Sequence, residues 1–547
     1  MAKVADVNDG TPPDGRSSPS ETKSVASTPT QTCSSGQSWC DKLNFAASLI
    51  SPMSCGNVLF LGKDVYILKL GADVGIMGAV GTVLAIWGPC CSPIAGYFME
   101  KDLLTRWFPW DAWGRRAPWF LVHILVAAVA TAAVYCPPSY DPHVLSVWFL
   151  TWGLLNCWAL GVLFTCFESC RAEMYPTKEE RSEVEAIVKV TSGAGSTLGT
   201  CPQLIIVAGV SRTMLLAVSI FYFLVGLLSL VSLRTLRAAR QAYAPGHVGS
   251  FVWELIDTIR TPAFRHLAAY RFIEAFMYTT ALTTALYYLT FVVGMAGAER
   301  SFYVVVVGVI VGTLTTLAIP PWAQFFRWRR PGVDCNRVCS AVLVVGISTS
   351  LVFLALRFLV SPLVGFLVYS GLQNASLTGQ TFWRASALGW IVDEDCQAVQ
   401  GRRREAVFVG SVSLFSALGR AAAVGLVLNG LTLMGLDVTN CELACSAESD
   451  ATKYECVAAC DTSNFEKQPS GVRTFIEVMY FAVVPLCQAM CAWLVYSFPI
   501  YGERLDAIYA NQRRLYTRKE VGVKQDCSWT DGQFDACHVV HAQRRAS

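Results

Sequence analysis

Residues 117–136 read APWFLVHILVAAVATAAVYC, and His123 is the one ionisable side chain in the body of this apolar block. A helix of about 20 residues crosses the roughly 30 Å hydrocarbon core of a bilayer. In lipid every backbone amide needs a hydrogen-bond partner within the protein, so a block of this kind must be helical. The stretch therefore predicts a membrane-spanning helix.

Blocks of similar length recur throughout the 547 residues, of which 53% are hydrophobic and only 15% are charged. Soluble domains carry about 25% charged residues, which disfavours a large soluble protein with buried helices. The sequence thus predicts an all-α membrane protein with about twelve transmembrane helices, six on each side of a basic linker. The predicted spans are 44–70, 73–99, 117–136, 144–168, 186–210, 213–233, 264–294, 302–323, 338–359, 362–391, 405–433 and 472–498.

The segments outside these blocks divide the chain into five parts. Residues 1–41 are rich in Ser, Thr, Pro and Asp, which predicts a disordered tail, and no apolar signal peptide follows Met1. The other parts are an N-terminal six-helix bundle (42–233), a linker (234–262), a C-terminal six-helix bundle (263–499) and a charged tail (500–547).

Alternate loops hold more than twice as many lysines and arginines as the loops between them. Basic residues stay in the cytosol, so this bias places both termini and the linker there. We expect a multi-pass protein, with the plasma membrane as the default location, and loop 434–471 then lies outside the cell.

The outer loop 434–471 contains four cysteines in a C-x3-C-x10-C-x3-C pattern. Cysteines four apart share a helix face, and disulfides persist on the exoplasmic side. We expect two short helices clasped by two disulfides, Cys441–Cys460 and Cys445–Cys456. Zinc is the alternative, but metal pairs are usually C-x2-C or C-x4-C with histidine, and this loop has no histidine, so no metal site is predicted.

Motifs of soluble enzymes are absent from the sequence, including G-x-x-x-x-G-K-[ST], G-x-S-x-G and H-E-x-x-H. This argues against an enzyme or a transport ATPase, and no cofactor is predicted. There is also no basic stripe of the kind that binds nucleic acid. The expected partners are the lipid bilayer and a small-molecule substrate, and we expect a monomer.

Three segments at the predicted cytosolic face mix acids with arginines: residues 110–119, 173–182 and 393–405. Ordinary anchoring at the membrane surface explains the arginines but not the acids. Breakable ion pairs between two helical bundles explain both, because such pairs close one side in one state and part in the other. The predicted gate residues are Asp111, Arg115, Arg116, Glu173, Arg181, Asp393, Arg402 and Arg403.

The same segments carry a family resemblance. W-G-R-R-A-P-W at 113–119, E-x-x-P-T-x-E-E-R-S at 173–182 and D-E-D…G-R-R-R-E-A-V-F at 393–408 resemble the glycoside–pentoside–hexuronide:cation symporter family. This is the melibiose-carrier-like branch of the major facilitator superfamily, and it also includes sodium-dependent lysophosphatidylcholine carriers. The resemblance spans roughly residues 42–500. It implies the major facilitator fold, with two six-helix bundles around a substrate cavity that opens alternately to each side.

The chain departs from the family pattern in the second predicted span, residues 73–99. The family's D-x-x-x-D-P-x-x-G, whose two acids help to bind the coupling cation, here has Gly88 and Ser92 at the acid positions, while Pro93 and Gly96 match. Hard cations prefer several oxygen ligands, and one hydroxyl is a poor cage. Between the tenth and eleventh predicted spans, the family pattern has a lysine shortly before the Gly-Arg element. That lysine is missing here, and Val399 lies near its place. Coupling to Na⁺, coupling to H⁺ through Glu168 or Glu274, and no coupling all stay open.

Polar and ionisable residues within spans are costly, at about 2.5–3.5 kcal/mol for a charge at mid-helix, and therefore point to function. The densest polar run of the C-terminal spans surrounds Arg384, and a weaker one lies in the fourth predicted span, residues 144–168. Each such residue alone is also compatible with internal pairing. The predicted cavity-lining residues are Asn156, Trp158, Asn374, Gln380, Trp383 and Arg384.

Taken together, the sequence predicts a secondary active transporter that moves a small organic solute by alternating access. The solute is sugar-like or amphiphilic, such as a lysolipid. A cation-coupled symporter and a cation-independent facilitator both fit. From another functional class, a receptor or scaffold without transport activity, binding its ligand at the outer loop, is the alternative.

Overall fold

The computed structural model describes residues 38–511 with gaps at 69, 71, 73, 102, 105, 176–177, 209–211, 239–250, 295–296, 329–332, 357–358, 360, 399–403, 437–444, 446–454, 457–458, 461 and 464–465. Side chains of some further helical residues, among them Asp111 and Glu173, also lie outside the described part. The predicted tails therefore fall largely outside it, as do Arg402 and Arg403.

Every regular element in these ranges is helical. The helices are α1 (Trp39–Ala47), α2 (Ile50–Leu68), α3 (Val74–Glu100), α4 (Trp110–Trp113), α5 (Ala117–Val134), α6 (Pro142–Met174), α7 (Lys178–Ala208), α8 (Arg212–Leu228), α9 (Leu233–Ala238), α10 (Phe251–Arg260), α11 (Pro262–Phe291), α12 (Gly297–Trp328), α13 (Cys335–Leu356), α14 (Pro362–Ala398), α15 (Glu405–Leu433), α16 (Ser470–Val478) and α17 (Val484–Tyr496). A 3₁₀ turn (Ser229–Ser232) joins α8 to α9, and a π-helical turn (Met479–Val483) joins α16 to α17.

Within the described residues, 7 helical segments are long and apolar enough to cross a membrane: Ala79–Glu100, Ala117–Val134, Pro142–Arg171, Arg212–Arg237, Cys335–Val352, Glu405–Leu431 and Ser470–Tyr496. The other predicted spans coincide with α2, α7, α11, α12 and α14, which contain more polar and charged residues. Each predicted span thus corresponds to a helix, while the number of crossings stays a prediction.

The helices α2–α8 form one half of the molecule and α11–α17 form the other. Two seams join these halves. Along one seam α3 packs against α15, and along the other α7 packs against α12 and, less extensively, α14. Buried apolar residues fill each half separately, although Ala406 of α15 is inserted into the core of the N-terminal half.

Glycines allow the close approach of α3 and α15. A Cβ atom added at Gly96 would lie 2.3 Å from the carbonyl oxygen of Ala406, and one added at Gly410 would lie 2.6 Å from that of Ser92. Small residues permit such backbone contact between membrane helices. A larger side chain at either glycine therefore cannot fit while this seam is closed.

The cysteine-rich loop between α15 and α16 contains the predicted bond between Cys445 and Cys456, whose Cα atoms are 5.9 Å apart. Cys460 is also disulfide-bonded. Cys441 lies outside the described residues, so the predicted Cys441–Cys460 pair is not described.

A buried amide links three parts of the C-terminal half. Asn336 of α13 is only 2% exposed and donates to the carbonyl oxygens of Phe498 and Ile500, each at 3.3 Å. Its Oδ1 atom accepts from the indole nitrogen of Trp383 on α14 at 2.9 Å. This side chain therefore fixes the start of α13 against α14 and the segment after α17.

We predict that Asn336→Leu lowers the unfolding free energy by about 2–4 kcal/mol, because it leaves the indole donor and two carbonyl acceptors buried without partners. The neighbouring Arg337 is exposed, so Arg337→Ala is the matched control, with no measurable change expected. The measurement is thermal unfolding of the purified protein. Equal midpoints for the two variants would contradict the structural role of Asn336.

Candidate functional site

The helices α3, α6, α12 and α14 end, and α5, α7, α11 and α15 begin, at the same end of the bundle, which carries the arginine-rich loops. We call it the basic end. There, Arg181 at the start of α7 donates to Oδ2 of Asp393 on α14 at 3.1 Å, and its Nε donates to the carbonyl oxygen of Tyr175 at 2.9 Å. Both charged side chains are only 7% exposed. This ion pair joins the two halves.

The residues after Arg181 extend the same seam. The hydroxyl of Ser182 donates to the carbonyl oxygen of Ala323 on α12 at 2.5 Å. Glu183 accepts from Arg327 of α12 at 2.9 Å and from Lys42 of α1 at 2.5 Å. One turn of α7 therefore contacts both α12 and α14 through polar groups.

A second polar contact lies at the basic end of the α3–α15 seam. Glu100 accepts from Arg115 at 2.6 Å and lies 3.4 Å from a guanidinium nitrogen of Arg116. The same carboxylate accepts from the backbone N–H of Ala406 at 3.2 Å, across the seam. Arg116 is completely buried and also lies 3.9 Å from Glu405 of α15. Charges from both halves thus share one buried site.

Arg404, next to Glu405, attaches the linker helix α10. It donates to Asp395 at the end of α14, to Glu254 at 2.9 Å and to Asp257 at 2.7 Å. Burial lowers the pKa of the Arg404 guanidinium, but its hydrogen bonds and charge interactions with these three acids outweigh that effect and raise the pKa above its usual value. The guanidinium therefore stays charged and holds α10 to the C-terminal half.

Four of the predicted gate residues have described side chains, and all four lie at the basic end. Arg116, Arg181 and Asp393 take part in contacts between the halves, whereas Arg115 supports Glu100 within its own half. Sequence reasoning missed Glu100, Glu183 and Glu405. Glu100 ends one apolar block and Glu405 begins another. An acid at the boundary of a predicted span is the sequence signal that could have identified both residues.

Further from the basic end, charged side chains of both halves face one another. In the N-terminal half, Arg171 binds Glu185 at 2.5 Å and also pairs with Glu168. In the C-terminal half, Glu274 accepts from Arg384 at 3.2 Å and also pairs with Arg271. The charged cluster is defined as these six residues together with Lys189 of α7 and Arg420 of α15.

The charged cluster lies between the halves and extends from the last turn of α6, at Arg171, to near the middle of α14 and α15. Arg384 and Arg420 are each roughly 20 Å along their helices from the basic end, at 1.5 Å per residue. Arg384 interacts electrostatically with Glu185 and Glu168 of the opposite half, and Lys189 interacts with Glu274. The side chains of Arg384 and Glu168 remain 29% and 28% exposed, which indicates that they border an accessible space.

The predicted cavity residues are distributed differently from expectation. Arg384 belongs to the charged cluster. Trp158 is half-buried and donates to His123 at 3.2 Å, and Asn374 donates to the carbonyl oxygen of Ser370 in its own helix at 2.8 Å.

Three other predicted cavity residues are buried inside their own halves, which corrects the prediction for them. Asn156 donates to the carbonyl oxygen of Cys55 and to Thr131, each at 3.3 Å, and Gln380 donates to the carbonyl oxygen of Cys339 at 3.1 Å. Trp383 packs against Asn336, as described above. Adjacent helical residues differ by about 100° in direction, so Arg384 faces the other half while Trp383 faces α13.

A family model described as MFS/sugar transport protein matches residues 51–502. The chain belongs to this family. The transporter is therefore a multi-pass integral membrane protein, and the family resemblance of its motifs is confirmed. A search of curated proteins gave no match.

The transporter is also similar in fold to solved structures. A bacterial homologue of the iron transporter ferroportin, in the outward-facing state with soaked iron, has a TM-score of 0.54 and 10% identity, covering 84% of this chain and 98% of that chain. The major facilitator transporter FucP in the outward conformation has a TM-score of 0.51 and 11% identity, covering 80% and 98%. The human organic anion transporter MFSD10 (TETRAN) has a TM-score of 0.48 and 14% identity, covering 83% and 98%. At these identities the likeness to the first two structures shows the fold alone.

We predict that Arg181→Asp separates the halves at the basic end, because it places two carboxylates together in a buried site, and breaking a buried pair costs about 3–5 kcal/mol. The double exchange Arg181→Asp with Asp393→Arg restores the pair. The measurement is cross-linking by a short bifunctional thiol reagent between cysteines introduced at positions 182 and 323, with mass spectrometry of the linked peptides. The yield falls in the single variant and recovers in the double variant. An unchanged yield in the single variant would contradict the contact.

Proposed function

We propose that the protein is a secondary active transporter that moves a small polar organic solute by alternating access. The observation that carries this proposal is that buried charges of both halves meet at one end of the seams, whereas the charged cluster lies deeper and borders an accessible space. In this proposal the basic end is the inner gate, and the charged cluster borders the solute site. The halves rock about that site.

The chemistry of the gate suits reversible opening. When the halves separate, Glu100 keeps Arg115 and Arg116 as partners, because all three belong to the N-terminal half. Asp393 and Glu405 of the other half then become hydrated. An ion pair at a hydrated surface contributes only about 0–1 kcal/mol. Replacing these ion pairs by water as the halves separate therefore costs less free energy than breaking them while the site stays buried. The contacts therefore favour the closed state without locking it.

We further propose that transport does not require Na⁺. The sole acid of α3 is Glu100, which is held by two arginines. At the positions where related carriers have acids, Ser92 packs against the backbone at Gly410, and Gly88 lies beside Cys157. Na⁺ needs several oxygen ligands, and this part of α3 supplies few. A facilitator, or coupling to another ion, then fits better than Na⁺ symport.

The test uses the purified full chain in proteoliposomes, with uptake of glucose, gluconate and lysophosphatidylcholine measured separately. We expect uptake of at least one solute above empty liposomes, unchanged when choline replaces Na⁺. Arg116→Ala should reduce that uptake to near background, because it leaves two buried carboxylates without their shared cation.

Arg106→Ala is the matched control, because this arginine lies in the same loop region and is exposed. It should transport like the unmodified protein. Full uptake by the Arg116→Ala variant would contradict the gate, and uptake that disappears without Na⁺ would contradict the proposed independence from Na⁺.

A further inference from the structure

The charged cluster contains more cations than acids. Its carboxylates are Glu168, Glu185 and Glu274, whereas its cations are Arg171, Lys189, Arg271, Arg384 and Arg420. Counted over the described side chains, the charged cluster therefore has an excess of positive charge. A charge within a membrane span is costly unless it is paired or serves a function, so the surplus needs an explanation.

The pairing pattern shows where the surplus lies. Glu168 and Glu185 both contact Arg171, and Glu274 is shared by two arginines of its own half. All three carboxylates are thus engaged. Among the side chains that the structure describes, neither Lys189 nor Arg420 has a hydrogen-bond or ion-pair partner.

Arg420 faces the space between the halves. Ser416, one turn earlier on α15, accepts from Arg271 at 3.2 Å, and residues four apart lie on the same helix face. Arg420 also interacts electrostatically with Arg271 of α11 and with Cys157 of α6. Its side chain is exposed, although helices of both halves surround it.

Among the described side chains, the helices around Arg420 offer it no acid that is not already engaged. The acids of α3 and α15 lie in the last or first turn at the basic end, Glu168 of α6 is held by Arg171, and Glu274, the one acid of α11, is shared by two arginines. Gly88 of α3 is nearby, since a Cβ atom added there would lie 4.0 Å from Sγ of Cys157. Among the residues that the structure describes, no acid is therefore left to pair with Arg420.

We infer that the solute is an organic anion bearing a carboxylate or phosphate group, and that Arg420 is the residue that binds this group. A guanidinium presents paired N–H donors that match both groups. The positive surplus concentrates anions in the space between the halves and repels Na⁺. Lys189, from the opposite half, adds a second positive charge. This inference rests on the proposed function, because it places the anion in the transport pathway.

Cys157 provides a reporter beside Arg420. The purified full chain is treated with methanethiosulfonate reagents of opposite charge, ethylsulfonate and ethyltrimethylammonium, and modification of Cys157 is followed by mass spectrometry. One nearby charge should favour the anionic reagent by about tenfold relative to a variant without that charge. We expect this preference in the unmodified protein and in Arg420→Lys, and its loss in Arg420→Gln.

Cys136 is the internal control, because it is exposed and lies just after α5, far from the cluster along the chain. Its relative reaction rates should be the same in all three proteins. Size-exclusion profiles check that each variant folds. If the rate ratio at Cys157 is the same in Arg420→Gln as in the unmodified protein, the inference is overturned.

Binding is tested by protection of Cys157 from N-ethylmaleimide. Gluconate and glucitol have the same carbon chain but differ in the carboxylate, so gluconate should slow the reaction and glucitol should not. Protection should disappear in Arg420→Gln. Equal effects of the two compounds would overturn the inference. Cysteine labelling does not depend on transport, so the two proposals can fail separately. Protection by gluconate without any uptake would contradict the proposed function alone. Uptake of neutral glucose without protection by gluconate would contradict this inference alone.

Discussion

The guanidinium of Arg116 is completely buried between Glu100 of its own half and Glu405 of the other half. A buried charge is stabilised by pairing, so Glu405, which is completely buried beside this arginine, favours the close packing of α15 against α3. Gly96 and Gly410 make that approach possible, because any side chain there would strike the opposite backbone. The neighbouring Arg404 attaches the linker helix α10 to the same point. The closed basic end depends on this combination of buried charge and absent side chains.

The two polar levels of the molecule differ in how their charges are balanced. At the basic end, acids and arginines of the two halves satisfy one another, so the closed state needs no ligand there. Deeper between the halves, each half pairs its own acids with its own arginines and leaves positive charge facing the other half. We propose that this arrangement attracts an anion from solution and gives it partners on both sides. In the proposed mechanism, the closed gate and the unbalanced site together let the transporter hold its solute between two rocking halves.

The sequence predicted the helices well, because the length and polarity of an apolar block are local properties that the bilayer requires. The Cys445–Cys456 disulfide was also predicted, because the cysteine spacing and the expected location of the loop both constrained the pairing.

The charged contacts were harder to predict. Arg116 and Arg181 stood out in their motifs, but their partners Glu405 and Asp393 come from distant parts of the chain. Among the residues expected to line the cavity, Trp383 is packed inside its half while the adjacent Arg384 faces the space, because a rotation of about 100° per residue separates them. A polar run alone does not show which way each side chain faces.

The central claim is that packing at the α3–α15 seam keeps the basic end closed. Spin labels carried by non-natural amino acids at the exposed positions 106 and 337, one in each half, report the width of this end by pulsed electron resonance, independently of the native cysteines. Gly410→Leu cannot fit against Ser92, so the account predicts that the distance distribution moves to longer values in this variant than in the otherwise unmodified protein. Identical distributions in the two proteins would show that the seam does not control the opening of this end.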